Sequence, residues 1–290
     1  MGGRAFASTR RSTKAEVLST VEWLEENWKS ASKDPTPLNQ RLLGSAGKRE
    51  TSGDIDLNIN ESIYDLTVVE LELITLLGRE NVWSRPGNYQ IFTSVPVPGT
   101  RDRVQIDFMF GDYQWQSFSY ASPSDIGVNA SSYKGLFRTE LIKALVAFQS
   151  DFVAEEYGEM VARSGPTFFH DRGIVWRYRL RPYKKDGSGV RIKALREVGE
   201  LEFFDQFPDA VELSHTAMKD PGQVIKLILG DRAIMSDCYS YETIWLAAHR
   251  KYNENELKEI GEIFLERLNS LKVCIPKEIN DEHRRTELIF

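Results

Sequence analysis

The feature that most constrains this chain is residues 54–59, where apolar side chains alternate strictly with acidic or amide side chains. Side chains two apart on a β-strand point to the same face, so the stretch predicts a half-buried strand. Its apolar face consists of Ile55, Leu57 and Ile59. Asp54 and Asp56 share the opposite face, with their Cβ atoms about 7 Å apart or slightly less. The strand therefore presents two carboxylates to one side.

A second alternating stretch, residues 103–110, places Asp107 on its polar face and predicts another half-buried strand. If the two strands are neighbours, Asp107 faces the same cleft as Asp54 and Asp56. Carboxylate oxygens are the ligands that Mg²⁺ prefers. Two such ions about 3.5–4 Å apart stabilise both the attacking and the leaving oxygen of a phosphoryl transfer. We therefore expect these three aspartates to be catalytic metal ligands, holding two Mg²⁺ or Mn²⁺ ions.

Gly44 and Ser45 precede the first acidic strand and predict a phosphate-binding turn. Glycine lets the backbone approach a phosphate closely, and serine donates hydrogen bonds from its amide and its hydroxyl. Lys48 and Arg49 follow and could balance the charge of a triphosphate, although an ordinary solvated turn explains them equally well.

The remaining apolar spacing around these residues predicts an α+β domain. Helices are expected at about 13–29, 65–77 and 133–148, and further strands at 41–43 and 89–97. Thr13 to Glu16 predicts a capping box at the start of the first helix. The natural arrangement is a mixed sheet with helices on one face. The helix at 133–148 carries Lys134 and Arg138, which could add nucleotide contacts, with exposure to solvent as the preferred alternative.

The combination of these motifs resembles the nucleotidyltransferase superfamily, which includes DNA polymerase beta, poly(A) polymerases and CCA-adding enzymes. The resemblance covers residues 38–148 and rests on Gly44-Ser45, Asp54-Ile55-Asp56-Leu57 and Gln105-Ile106-Asp107-Phe108. It implies that the Gly-Ser pair holds the triphosphate of an NTP, that the first two carboxylates bind both metal ions, and that the third helps to activate the acceptor hydroxyl. Ala46–Arg49 departs from the arginine-glycine pair of many minimal members. The segments 43–57, 105–110 and 132–136 are also similar to uncharacterised nucleotidyltransferase-like proteins carried by bacteriophages.

The C-terminal part predicts a basic β-hairpin, formed by residues 174–180 and 190–194, followed by a helical region from about 219. The last long helix is expected to bury a stripe that ends at Leu271, and the charged tail after Pro276 is expected to fray. The cationic residues predicted to bind nucleic acid are Arg177, Arg179, Arg181, Arg191 and Lys193. Such a face suits a phosphate backbone, a bound triphosphate or an acidic protein, and a solvated sheet face is the alternative. In a chain of net charge −6, this concentration of cations favours a polyanion such as RNA.

Composition and length predict a cytoplasmic protein with three parts: an N-terminal arm and helix (1–37), a catalytic domain (38–164) and a C-terminal domain (165–290). Cys238 and Cys274 fit no metal-ligand spacing and are expected to be reduced, buried thiols. No apolar run reaches the length of a membrane span. The expected activity is transfer of a nucleoside monophosphate from an NTP to an RNA 3′ end, a protein or a small molecule. A nucleic-acid or partner-binding module that keeps the fold without catalysis is the alternative.

Overall fold

A computed structural model describes residues 5–85, 89–121, 133, 135–149, 161–162, 166–175, 179–180 and 217–284. The chain divides into two compact units, Met1–Gly135 and Leu136–Phe290. The predicted boundaries after residues 37 and 164 stay predictions. No helix within the described ranges combines the length and the apolar character that a membrane crossing requires.

The first unit is built around a four-stranded mixed sheet, and with the helices of both units it confirms the predicted α+β class. Its strands and helices are β1 (Ser12–Thr13), α1 (Lys14–Asn27), β2 (Thr51–Ser52), β3 (Ile55–Ile59), α2 (Leu66–Leu77), β4 (Val82–Arg85), β5 (Gln90–Pro96), β6 (Arg103–Phe110) and α3 (Tyr113–Ser119). The strand order is β3-β6-β5-β4, in which β3 and β6 are parallel and the other pairs are antiparallel. The small pair β1–β2 is antiparallel.

Apolar residues on one face of this sheet form the core of the first unit. Ile55, Leu57, Ile106 and Phe108 are completely buried there, together with residues of α1 and α2. The predicted capping box starts α1, because the Thr13 hydroxyl accepts from the amide of its third helical residue. The opposite face of β3 and β6 carries the aspartates, so the core fixes which way they point.

The second unit begins with α4 (Gly135–Phe148) and ends with helices. Its other elements are β7 (Val161–Ala162), β8 (Thr167–Phe169), β9 (Gly173–Val175), β10 (Arg179–Leu180), β11 (Ala217–Met218), α5 (Pro221–Leu229), α6 (Tyr241–Lys251), α7 (Glu254–Ser270) and α8 (Lys277–Arg284). Strand β9 pairs with β8 and β11, and β10 pairs with β7. The predicted return strand of the basic hairpin, 190–194, lies outside the described residues.

The predicted strand at 41–43 is wrong. A 3-10 helix spans Leu38–Arg41, and only Leu42 forms a single bridge, to Leu57. The buried guanidinium of Arg41 explains the turn, because its Nε donates to the carbonyl of Thr36 at 2.7 Å.

Three expectations about the C-terminal part are also wrong. The α7 stripe excludes Leu271, which is 50% exposed because the helix ends at Ser270. Within the tail after Pro276, the described residues form α8, in which Ile279 is completely buried. Cys238 is buried as expected, whereas Cys274 is exposed.

Candidate active site

The pairing of β3 with β6 brings the three predicted aspartates together. Asp56 and Asp107 are direct neighbours in the parallel register. One carboxylate oxygen from each of Asp54, Asp56 and Asp107 lies within 4.8 Å of the others. This confirms that the two acidic strands are adjacent, which the sequence alone left as a condition. The three side chains form a group that could hold a divalent metal ion.

The electrostatics of this cluster favour a bound cation. Burial raises the pKa of Asp56 well above its ordinary value, and the charges of Asp54 and Asp107 raise it further. Burial also raises the pKa of Asp107 to about 7, with Asp54 adding to the effect. Among the described residues, no lysine or arginine forms an ion pair with Asp56 or Asp107. A divalent ion bound by the three carboxylates would offset this repulsion.

Asp107 is held in place from its own strand. It is only 7% exposed, and its Oδ1 accepts a hydrogen bond of 2.7 Å from Nε2 of Gln105. The Oε1 of Gln105 accepts in turn from the backbone amide of Ala5 at 2.8 Å. Gln105 is predicted to face away from the core, and it does so, but it is buried because the N-terminal segment covers it. The polar face of β6 is therefore less open than simple alternation suggests.

The Gly44–Ser45 pair lies beside Asp56. The amide of Leu43 donates to the backbone carbonyl of Asp56 at 2.9 Å. Gly44 has a φ of +60°, and a Cβ placed there would lie 3.4 Å from Oδ2 of Asp56. The carbonyl of Ser45 accepts from the amides of Lys48 and Arg49, both at 3.2 Å, and so closes a tight turn.

The side chains of Lys48 and Arg49 are exposed next to that turn. Their exposure is compatible with both sequence interpretations, contact with a triphosphate and an ordinary solvated turn. NTP binding by Gly44, Ser45, Lys48 and Arg49 stays a prediction.

A buried amide network on the aspartate face escaped sequence reasoning. Nδ2 of Asn58 donates to Oε1 of Gln116 at 2.7 Å and to the carbonyl of Gly111 at 3.0 Å. Gln116 belongs to α3, a helix that sequence analysis missed. The signal was present, because Asp112 caps that helix by accepting from the amide of Trp115. The network packs α3 against β3, two residues along the strand from Asp56.

The other predicted site residues lie in the second unit or outside the described residues. Lys134 lies outside the described residues, as do Arg177, Arg181, Arg191 and Lys193; Arg179 lies in β10. The preferred expectation that Arg138 is exposed is wrong, since it is 1% exposed and its Nε donates to the carbonyl of Cys238 at 2.6 Å. Contact of Arg138 with a nucleotide stays a prediction.

Comparisons with known proteins identify no family. No protein-family model matches the chain, and no curated protein matches it. Among solved structures, the chain is similar to polymerase beta of Leishmania infantum in a ternary gap complex, with a TM-score of 0.40 and 11% identity over 80% of this chain and 71% of that chain. A ternary primer-template complex of the same polymerase gives a TM-score of 0.39 and 10% identity over 79% and 77%. These values are too low to assign a function, which has to be argued from the site.

Proposed function

We propose that the protein transfers a nucleoside monophosphate from an NTP to an acceptor hydroxyl and releases pyrophosphate. The observation that supports this function is the convergence of three carboxylates within 4.8 Å, beside a Gly-Ser turn. Phosphoryl transfer needs charge stabilisation and positioning more than covalent participation by the protein. A carboxylate cluster that binds metal ions, next to a Gly-Ser turn that binds the triphosphate, would provide these two functions.

Each residue has a separate function in this proposal. Asp54 and Asp56 would hold the divalent ions, which would neutralise phosphate charge and lower the pKa of the acceptor hydroxyl. Asp107 would help to hold the metal ion on the acceptor side and would assist deprotonation of the acceptor hydroxyl. Ser45 donates to the triphosphate from its amide and its hydroxyl, and Gly44 leaves room for the phosphate beside Asp56.

The burial of the cluster contributes to the proposed catalysis. Because Asp107 and the neighbouring Gln105 are nearly inaccessible to water, charges at the site interact through a medium of lower polarity than water. Such surroundings strengthen the stabilisation of charge that develops on the transferred phosphoryl group. The hydrogen bond from Gln105 keeps Asp107 oriented without neutralising it.

An RNA 3′ end is the preferred acceptor, with a protein hydroxyl and a small molecule as alternatives. The support is the cationic run in the sequence that contains Arg177 and Arg179. RNA that binds this run should be retained less strongly as salt rises. Charge reversal at both arginines should abolish a salt-sensitive shift of RNA mobility. Absence of RNA binding by the wild-type protein at low salt would remove this preference.

The test of the chemistry is incubation with each labelled NTP, Mg²⁺ or Mn²⁺, and mixed cellular RNA and protein. We expect label in one macromolecular fraction, and loss of labelling with a chelator. Asp56→Asn should lower the rate by about a hundredfold or more, as removal of a charge-stabilising group does. Asp102→Asn, at an exposed turn, is the matched control. Full transfer by a folded Asp56→Asn protein would overturn the proposal.

A non-catalytic binding module is distinguished by the same protein preparations. It would bind NTP or nucleic acid without forming a labelled product. Thermal stabilisation by NTP that depends on Mg²⁺, together with labelling, supports the enzyme. Stabilisation without labelling of any fraction supports the binding module.

A further inference from the structure

A row of four side chains crosses the whole sheet on the aspartate face. In the strand register Asp56 of β3 is next to Asp107 of β6, Asp107 is next to Phe92 of β5, and Phe92 is next to Trp83 of β4. Direct neighbours in a sheet point to the same side. The row therefore runs from the carboxylates to two aromatic rings at the edge of the sheet.

The two rings form a stacked pair. The ring centroids of Trp83 and Phe92 are 5.0 Å apart and their planes differ by 26°. Trp83 is 49% exposed, while the core of this unit lies on the other face of the sheet. A large aromatic side chain held by stacking and left half-exposed offers a flat surface for another ring.

A cation lies on the same face beside the rings. Arg103 of β6 has the same orientation as Asp107, four residues along the strand, and its Nε donates to Oγ of Ser94 at 2.8 Å. Ser94 follows Phe92 by two residues on β5, so the guanidinium lies one step along the strand from the aromatic pair. Both oxygens that accept from Arg103 are uncharged, and Glu80 is the carboxylate whose charge acts on it. The guanidinium can therefore attract a phosphate.

The order of groups across the sheet places the proposed NTP-binding turn at one end of the row and the aromatic pair at the other. The Gly44–Ser45 turn adjoins Asp56 at one end of the row, and Trp83 lies at the other end. Asp107, the proposed acceptor-side carboxylate, lies between Asp56 and the rings. Trp83 is two strand spacings, about 10 Å, from Asp107, so it can be reached by the nucleotides nearest to a reacting hydroxyl.

We propose that Trp83 and Phe92 form a stacking platform for an unpaired base of a nucleic-acid acceptor, within two nucleotides of its 3′ end, with Arg103 contacting a backbone phosphate. This inference rests on the proposed function and specifies its acceptor. Every base offers a flat π-face, so the platform selects single-stranded ends without selecting a sequence. A protein acceptor has no regularly spaced rings and phosphates to match this arrangement.

The test measures equilibrium binding of short single-stranded oligonucleotides to the full chain, without NTP or metal. Trp83→Ala should weaken binding about tenfold to a hundredfold, because stacking of one base is worth about 1–3 kcal/mol. Trp83→Phe should retain most of the affinity. Leu71→Ala, at another exposed apolar residue of the first unit, is the matched control and should have no effect. Arg103→Gln should reduce the salt dependence of binding.

Oligonucleotides that lack one base show which nucleotide stacks on Trp83. An abasic nucleotide at the last or the second-last position should weaken binding to the wild-type protein as much as Trp83→Ala does. The variant should not distinguish abasic from intact oligonucleotides. Equal binding of both by the wild-type protein, or unchanged affinity in a folded Trp83→Ala protein, would overturn the platform.

Different experimental outcomes would reject the platform and the proposed function. Binding that depends on Trp83, in a protein that transfers no nucleotide, would support the platform and reject the enzyme. Labelling of a protein or a small molecule, with no oligonucleotide binding, would support nucleotide transfer and reject the platform.

Discussion

Carboxylates in the two units of this protein have opposite electrostatic surroundings. Glu140 on α4 has a side chain only 3% exposed, and it pairs with Lys143 at 2.8 Å and Arg267 at 2.9 Å. Asp56 and Asp107 instead lie beside each other and beside a third acid, Asp54, and their pKa values are raised. Glu140 therefore has two cationic partners within its own unit. Asp54, Asp56 and Asp107 form a cluster that could hold a divalent cation.

The largest expected difference is the sign of the stability change when each charge is removed. Glu140→Gln should destabilise the protein by about 2–3 kcal/mol, because it loses charge-assisted hydrogen bonds. Asp56→Asn should stabilise the metal-free protein at pH 8 by about 1–2 kcal/mol, because it relieves burial of a repelled charge. Denaturant unfolding with a chelator present measures both values. Destabilisation by Asp56→Asn under these conditions would contradict the comparison.

A pH titration without metal sharpens the same contrast. The pKa of Asp107 is raised from 3.8 to about 7, so the folded protein binds more protons than the unfolded chain between those values. Stability should therefore fall as the pH rises from about 4 to about 7, by on the order of 4 kcal/mol.

Calorimetry at pH 4.5 and pH 8 measures this loss as a drop in melting temperature of about 2–4 °C for each kcal/mol. Other groups titrate in the same range, including buried His283, whose pKa is lowered to about 4. The difference between wild type and Asp107→Asn isolates the aspartate. We expect Mg²⁺ to restore the lost stability at pH 8 in the wild type alone, and an equal pH slope in both proteins would contradict the assignment.

The smallest expected effect concerns the turn beside the aspartates. Gly44→Ala and Gly99→Ala both place a side chain at positive φ, +60° and +75°, and each should lose about 1–2 kcal/mol of stability. Only at Gly44 does the new Cβ meet a carboxylate, whereas nothing lies within 4 Å at Gly99. Gly44→Ala should therefore also raise KM for NTP in the labelling assay. An equal change in KM for both variants would show that the turn at Gly44 does not contribute to NTP binding.

Local patterns in the sequence were sufficient to predict the elements that carry the site. Alternation predicts β6 with its observed bounds, and the apolar stripe predicts α2 after its capping residue Asp65. The short strand β4 and the helix α3 were missed, because four or seven residues give too few repeats of a pattern. The segment 41–43 was misassigned because an apolar pair beside a buried arginine can form a turn as easily as a strand.

The sequence was sufficient to predict the three aspartates of the candidate site. It was not sufficient to predict the residues that surround them. The three aspartates stand in motifs, but their convergence depends on pairing between β3 and β6, which is long-range. The burial of Gln105 depends on Ala5, a hundred positions away in the chain. Trp83 belongs to no motif, and only the sheet register shows that it shares a row with Asp107.

The parallel pairing of β3 with β6 also has a consequence for folding. Asp56 and Asp107 belong to segments separated by a helix and two strands, so the carboxylates meet only after a long loop has closed. An ion that binds all three acids would select chains in which this closure is complete, and would add its binding energy to that pairing. Amide hydrogens of β3 and β6 would then exchange more slowly with solvent in the presence of the ion. Ion binding at the site and closure of this long loop would therefore be linked through one pair of strands.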